Sequence, residues 1–364
     1  LGGDEFAILL ARRDDTDQRE TTVRTIINEL SQSYLLQEES FFVTLSVGVA
    51  IFPQDGRDAE SLTRSADVAM YTAKRHGRNH WSYFSESDNP ASTERLRLEA
   101  DIQRAVESCE FELHYQPQYN VQGTRMEGVE CLLRWQHPEH GMISPGAFIP
   151  LLEETGLIVA VGVRVIEQAC RSIHRWRARG LADHFVVAVN VSARQLQDQQ
   201  LLTETQRLME AWNVPAGMLE LELTESSLMD EPAHSRRLFE GLRAIGAKLA
   251  IDDFGVRYSS LNYLREFAPD ILKIDKSFVD PIADSEREQH LVEGIIHLSH
   301  ILDIEVIAEG VETEAQRVIL ENAGCDWLQG FLLARPMPLS GIESLMERAG
   351  MITAEAGTAQ TWPQ

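Results

Sequence analysis

The sequence predicts an α/β protein: a TIM-like (β/α)8 barrel with one antiparallel strand, preceded by a partial α/β domain. Three observations predict it. From about residue 95, eight short apolar strands alternate with helical stretches over about 255 residues, the rhythm of crossover units closing into a barrel. The first two of these strands are joined only by YNVQGTR, and parallel neighbours cannot be joined so briefly. Ahead of the barrel, residues 1–84 carry a separate strand and helix pattern, set off by the small-polar linker SESDNPASTE at 85–94.

Taken in order, LGGDEFAILLA reads as a Gly-Gly turn feeding an apolar strand, one arm of a hairpin whose partner lies upstream. A helical pattern follows to about residue 37. FFVTLSVGVAIF, rich in β-branched and aromatic residues, reads as one long strand, and AESLTRSADVAMYTAKRHG as an amphipathic helix closed by Gly77. Two strands and two helices bury little surface, so this segment alone is expected to be marginal. The barrel occupies residues 95–350, and 351–364 form a tail. Its strands are ELHYQPQ, MEGVECLLRW, FVVAVNVSA, LELELTES, AKLAIDDFG, DILKIDKSF, IEVIAEGVE and DWLQGFLLARP. Helices such as 159–179, 193–212 and 284–302 lie between them.

Composition narrows the chemistry. A formal charge of −24 argues against a nucleic-acid polymer as partner, because phosphate backbones are bound by clustered Lys and Arg. An anion bound here must meet a few local side chains or metal ions. No apolar run reaches the roughly 18 residues of a membrane helix, and the stripe FIPLLEETGLIVAVGVRVIEQAC, interrupted by acids and Gly, reads as core. No membrane contact is expected from this segment. Cys109, Cys131, Cys170 and Cys325 form no CxxC pair, which points to neither zinc cluster nor disulfide framework and to the cytoplasm. The chain opens on Leu1 at a turn, so it is expected to be part of a longer protein, with room for a membrane tether upstream. His137 and His140 sit in the Pro-Gly loop QHPEHG and are expected to be solvated; His297 and His300 share a helix face at the surface. No nucleophile elbow or P-loop is present.

The C-terminal ends of the barrel strands carry Gln116, Glu130, Asn190, Glu222, Asp252 with Asp253, Lys273 with Asp275, Glu309 and Gln329. In a barrel these ends share one rim, where catalytic groups collect. Two carboxylates about 4 Å apart repel by roughly 4 kcal/mol at an effective dielectric near 20. Lys273 is the single obvious strand-end cation, so divalent ions are expected to hold the acids together. Carboxylate and amide oxygens suit hard Mg2+ or Mn2+, and a pair of ions suits displacement at phosphorus. Successive strand residues point to opposite faces, so Asp252 and Asp253 can share the basin only if the strand curls at its end.

At this point the residues resemble a known family. The barrel is similar to the EAL domain, the bacterial phosphodiesterase of cyclic di-GMP, and the first segment to the C-terminal half of a GGDEF domain, a diguanylate cyclase. The matching motifs are Glu130-Cys131-Leu132 within VECLLRW, YQPQ, NVSARQL, ELTES, DDFG, YSSL, KIDKSF, AEGVET and QGF before RPMP. The middle Ala of the family's name motif is Cys131 here, expected to face away from the metals.

The resemblance implies hydrolysis of cyclic di-GMP to linear pGpG with two Mg2+ or Mn2+ ions. Glu130, Asn190, Glu222 and Asp252 would hold one metal; Asp252 would bridge to a second near Asp253 and Glu309, with Gln329 in support. Lys273 would orient the attacking water, Glu309 would be the general base, and Gln116 and Arg134 would contact the substrate. A homodimer through the barrel is implied as well. Glu225 is kept where the family pairs an acid with the loop after DDFG, but Val256 and Arg257 replace that loop's usual Thr-Gly. That departure implies weakened or altered regulation, and its alternative is a non-catalytic receptor for cyclic di-GMP. In the first segment Asp4 would be a metal ligand and Glu5 catalytic, but the cyclase's other metal-binding aspartate lies upstream of Leu1. Cyclase activity is therefore not expected from this chain.

Overall fold

The computed structural model describes residues 6–10, 19–31, 33–36, 39–42, 44–75, 80–85, 98–99, 101–108, 110–198, 200–229, 232–255 and 261–354. Two units divide the chain, Leu1–Ala100 and Asp101–Gln364. The linker expected at 85–94 falls almost wholly outside the described residues, as do Asp4, Glu5, Val256 and Arg257.

In the first unit, α1 (Arg19–Leu30) leads into an antiparallel hairpin of β1 (Ser33–Leu36) and β2 (Glu39–Phe42). β3 (Ser46–Val49) is then joined to the parallel β4 (His80–Tyr83) across α2 (Ala59–Arg75), whose Ala69 and Ala73 are fully buried. Three expectations change here. Residues 6–10 form no strand and are exposed, and among the described residues no strand lies beside them to take up their backbone bonds. The helical pattern stops at Leu30, because SYLL and ESFF carry the Tyr, Leu and Phe content that favours a ladder. The long strand expected over 41–52 is two strands, broken before Ser46.

The second unit opens with α3 (residues 101–107), followed by β5 (Phe111–Asn120), β6 (Met126–His137) and the short β7 (Gly141–Ile143). Next come α4 (Pro145–Thr155), α5 (Ile158–Ala178), β8 (Val186–Val191), α6 (Ala193–Leu196) and α7 (Leu201–Ala211). After them run β9 (Leu219–Thr224), α8 (Glu225–Met229), α9 (Pro232–Ala244), β10 (Lys248–Phe254) and α10 (Leu261–Phe267). β11 (Ile271–Ile274), α11 (Lys276–Val279), α12 (Glu286–Ile301), β12 (Glu305–Ala308) and α13 (Glu314–Asn322) continue the alternation. β13 (Trp327–Leu328), β14 (Met337–Pro338) and α14 (Leu339–Arg348) complete it.

Eight strands close into a barrel in the order β5-β13-β12-β11-β10-β9-β8-β6, with β6 returning to β5. β5 is antiparallel to both its neighbours and the remaining barrel pairs are parallel. This is the expected reversed strand, and it puts the start of β5 at the same rim as the ends of the other seven. β7 and β14 extend the sheet beyond that rim on β6 and β5.

Side-chain alternation sets the two faces of the wall. In β9, LELELT, the leucines face the helices while Glu220 and Glu222 face the barrel interior, all of them buried. The outward face of β5 packs Tyr115 against Trp176 of α5 with ring centroids 5.5 Å apart, and the Tyr115 hydroxyl lies 2.9 Å from the Ser172 hydroxyl. Trp176, Ile166, Ala169 and Ile173 line one buried stripe of α5, each larger side chain contributing about 1.5–3 kcal/mol. Glu343 of α14 accepts from Trp176 Nε1 at 3.0 Å and pairs with Arg175 and Arg179, fastening the last helix to α5. Thr353 and Arg179 exchange backbone and side-chain bonds at 2.8 Å, so the chain is pinned at the far end of the barrel.

The helix expected over 193–212 is split. Ser192 and Gln195 form a capping box that starts α6 and uses the Gln195 side chain, and α7 begins afresh at Leu201. The apolar stripe is the α4–α5 pair, bent by 119°, and no single helix is long and apolar enough to cross a membrane among the described residues. His137 is buried rather than solvated: its Nδ1 accepts from the backbone N–H groups of Glu139 and His140, and its Nε2 lies 3.3 Å from Asp101. A turn that needs a fixed acceptor accounts for that burial. His300 is at the surface, paired with Asp326 at 2.8 Å.

Candidate active site

At the rim, β6, β8, β9, β10, β11, β12, β13 and β5 each deliver one inward residue: Glu130, Asn190, Glu222, Asp252, Lys273, Glu309, Gln329 and Gln116. Glu309 and Gln329 lie just past the ends of their short strands, held there by backbone bonds from Glu309 N to Ile274 O and from Gln329 N to Ala308 O. The eight side chains form one connected basin. Lys273, with no exposed surface, places its Nζ 2.7 Å from Glu309, 2.9 Å from Glu222, 3.6 Å from Asp252 and 3.8 Å from Glu130. Glu130 accepts from Asn190 Nδ2 at 2.6 Å and from Gln329 Nε2 at 2.5 Å. Gln329 also donates to Gln116 Oε1 at 3.3 Å and accepts from Gln118 Nε2 at 3.0 Å.

Electrostatics follow from burial. Desolvation pulls the Lys273 ammonium down, but the carboxylates of Asp252, Glu130, Glu222 and Glu309 outweigh it and hold it well above the usual lysine range. Glu309 is pushed up to about 8, first by burial and then by Asp252 and Glu130 against the opposing Lys273. Burial and Glu130 push Glu222 well above the carboxylate range. For Glu130, burial raises the carboxyl, yet Lys273 and the bonds from Gln329 and Asn190 together hold it below its ordinary value.

The curl required at the end of β10 is present. The β10–β11 register shifts between Ile251 and Phe254, and Asp253 takes φ of 56°, with its backbone N–H donating to Asp252 Oδ1 at 2.9 Å. An Asp tolerates that left-handed conformation better than most residues. Asp253 is the more open of the two, and partial desolvation followed by Asp252 and Asp275 pushes its carboxyl up.

Arg134 is half-buried, two alternations beyond Glu130 on the same face of β6, and its Nη1 donates to Leu133 O at 2.9 Å. Cys131 is buried on the opposite face, as expected, with its thiol pushed up by burial. Glu225 is buried at the start of α8, directly after β9.

Two buried residues of the interior were not anticipated. Glu220 lies one alternation beneath Glu222, with no exposed surface and neither carboxyl oxygen hydrogen-bonded; burial pushes it up to about 7. Gln118, equally buried, supports Gln329. The alternation of LELELT and of HYQPQ puts both on the inward face, and that signal was sufficient to find them.

Among the described residues no three acidic, His or Cys side chains are gathered tightly enough around one point to hold an ion. The point toward which the acids converge is taken by Lys273 Nζ. The donor set nevertheless fits a hard divalent cation. It offers four carboxylates against one ammonium, an amide side chain, and a fully buried Glu222 whose oxygens accept no directed hydrogen bond.

Comparison with known proteins shows the family. Residues 99–336 match the EAL domain, and residues 1–80 match the GGDEF domain of diguanylate cyclases. The chain is 41% identical over 338 residues to the bifunctional diguanylate cyclase/cyclic di-GMP phosphodiesterase MucR of Pseudomonas aeruginosa, covering 93% of this chain and 49% of that protein. It is 36% identical to the cyclic di-GMP phosphodiesterase PdeR of Escherichia coli, covering 95% of this chain and 52% of that one. The chain thus spans about half the length of these curated relatives. Among solved structures, a PaMucR phosphodiesterase in complex with c-di-GMP superposes with a TM-score of 0.65 at 41% identity, covering 68% of this chain and 99% of that one. A barrel with one reversed stave, an acid-and-lysine basin at its rim and a family match over most of its length place this chain in the EAL domain family.

Proposed function

We propose that this chain hydrolyses one phosphodiester bond of cyclic di-GMP and releases linear pGpG, using Mg2+ or Mn2+. The observation that carries the reading is the basin itself: four carboxylates from four strands around one buried lysine, open at the rim of a barrel whose relatives bear the name of this phosphodiesterase. Glu130, Asn190, Glu222 and Asp252 would hold one ion, and Asp252, Asp253 and Glu309 a second, with Gln329 holding Glu130 in place. Bound there, the ions would make water acidic enough to attack and would offset charge building on the phosphate.

The chain's own groups do the rest. Lys273 holds its Nζ as a fixed positive charge 2.9 Å from Glu222 and 2.7 Å from Glu309, suited to orient water or a phosphate oxygen in the basin. Glu309 would act as general base in its ionised form, which burial and the neighbouring acids make a stronger proton acceptor than an ordinary carboxylate. Arg134 would pair with a phosphate oxygen through its guanidinium, and Gln116, whose Nε2 donates to Ala334 O at 3.2 Å, would contact the substrate beside it. Residues Val256 and Arg257, on which a receptor-only alternative rested, lie outside the described residues, while Glu130, Glu222, Asp252 and Glu309 surround Lys273. Placement in the cytoplasm and assembly as a homodimer belong to the same proposal.

Incubation with cyclic di-GMP and Mn2+, followed by chromatography, tests the reading. The expected product is pGpG, with turnover abolished by a chelator and restored by Mn2+ or Mg2+. Recovery of the intact ring after prolonged incubation with metal would refute it.

A further inference from the structure

Above the catalytic layer the reversed strand β5 continues past the rim, and its inward face carries two residues that the catalytic steps do not use. In the antiparallel ladder with β6, Gln116 lies opposite Glu130, His114 opposite Leu132 and Glu112 opposite Arg134. Partners directly across such a ladder share one face of the sheet, so His114 and Glu112 stand on the face that carries Gln116 and Glu130. The outward residues Leu113 and Tyr115 are buried under the helices, whereas His114 is half-buried and Glu112 exposed. On its other side β5 pairs with β14, which sets Pro338 beside His114. His114 therefore lies in the ladder between Leu132 and Pro338, about 7 Å along the strand from Gln116.

His114 Nε2 is 3.2 Å from Glu112 Oε1. A carboxylate only accepts, so Nε2 carries the proton and donates; in the neutral ring this leaves Nδ1 as an acceptor. Glu112 keeps its remaining lone pairs. With the ring neutral the pair presents acceptors alone, opposite Arg134 in the ladder, whose guanidinium suits a phosphate. A guanine base offers two adjacent donors, N1 and N2, on its Watson–Crick edge, whereas adenine offers a donor at N6 and an acceptor at N1. An acceptor-only edge satisfies both of guanine's donors but only the N6 donor of adenine, leaving adenine N1 facing like against like.

We propose that Glu112 and His114 form a base-reading edge of this site and select guanine over adenine. The inference rests on the cyclic di-GMP reading above and adds which part of the chain recognises the base. A site built to hydrogen-bond a substrate donor discriminates strongly against the analogue that lacks it.

The test compares the wild-type chain with Glu112→Gln and His114→Phe, using cyclic di-GMP and cyclic di-AMP as probes. Binding is measured by calorimetry and turnover by chromatography, with thermal melts as the check on folding. Glu112→Gln is expected to raise KM for cyclic di-GMP about tenfold while kcat falls by much less, and to shrink the preference over cyclic di-AMP by a similar factor. His114→Phe keeps a flat ring but removes both nitrogens, and is expected to lose affinity without losing its melting temperature. Unchanged KM and unchanged base preference in both variants would overturn this inference and leave the phosphodiesterase reading standing. A wild-type chain that neither binds nor cleaves cyclic di-GMP would overturn both.

Discussion

Lys273 has no exposed surface, and four carboxylates lie within 3.8 Å of its Nζ. Lys273→Met keeps the volume and removes the only counter-charge those carboxylates have in the described basin. The variant is expected to melt with about 3–5 kcal/mol less stability in chelator, to recover part of it in Mn2+, and to turn over at least 100-fold more slowly. Equal melting curves for variant and wild type would show that the ammonium does not balance the acids. Glu220 gives a pH signature. Its carboxyl is raised in the folded chain to about 7 against an ordinary 4.5, so the folded state holds its proton more tightly than the unfolded one. The stability this contributes is whole below about pH 4.5 and is lost as pH rises through 7, amounting to roughly 3 kcal/mol by linkage. Glu220→Gln is expected to flatten that decline, read from denaturant midpoints at pH 5.5 and 8; parallel declines would argue against it. The rim acids were legible from strand ends alone, because a strand end is a position that the sequence marks. Glu220 and Gln118 lie mid-strand, where the same alternation was present but a polar residue is easily read as an outward one.

Strand positions in the barrel were legible because LELELT, FVVAVNV and DILKI leave no other periodic reading. The break between α6 and α7 was not, since it depends on a side chain capping its own helix, a choice that periodicity does not record. The hairpin of β1 and β2 was missed for the opposite reason: strands of four residues are shorter than the window in which a helical pattern is judged. One connection carries a firm expectation. A methyl group on Gly330 would stand 2.1 Å from Val311 O, in the loop that follows β13 and next to Gln329. Gly330→Ala is expected to cost about 1–3 kcal/mol and, by moving Gln329 away from Glu130, to slow turnover more than tenfold. A variant that melts and turns over like the wild type would show that the loop yields freely.

The distribution of buried apolar residues is uneven. Val23, Ile27, Ala69 and Ala73 are the fully apolar buried positions described before residue 98, whereas the second unit buries several dozen. Hydrogen exchange is expected to show β3, α2 and β4 exchanging in mild urea while β8, β9 and β11 remain protected. Uniform protection across both units would contradict it. The imbalance was legible in the strand and helix count of residues 1–84. Closure of the sheet through a reversed strand was legible only as a hairpin too short to cross over.

The bonds between Thr353 and Arg179 settle a practical matter of handling. They hold Thr353 on the face of the barrel opposite the acidic basin, at the foot of α5. A barrel tethered to a sensor chip or bead through a group introduced at Thr353 would turn its reactive cup away from the support, whereas coupling through exposed amines at random would blind a share of the captured barrels.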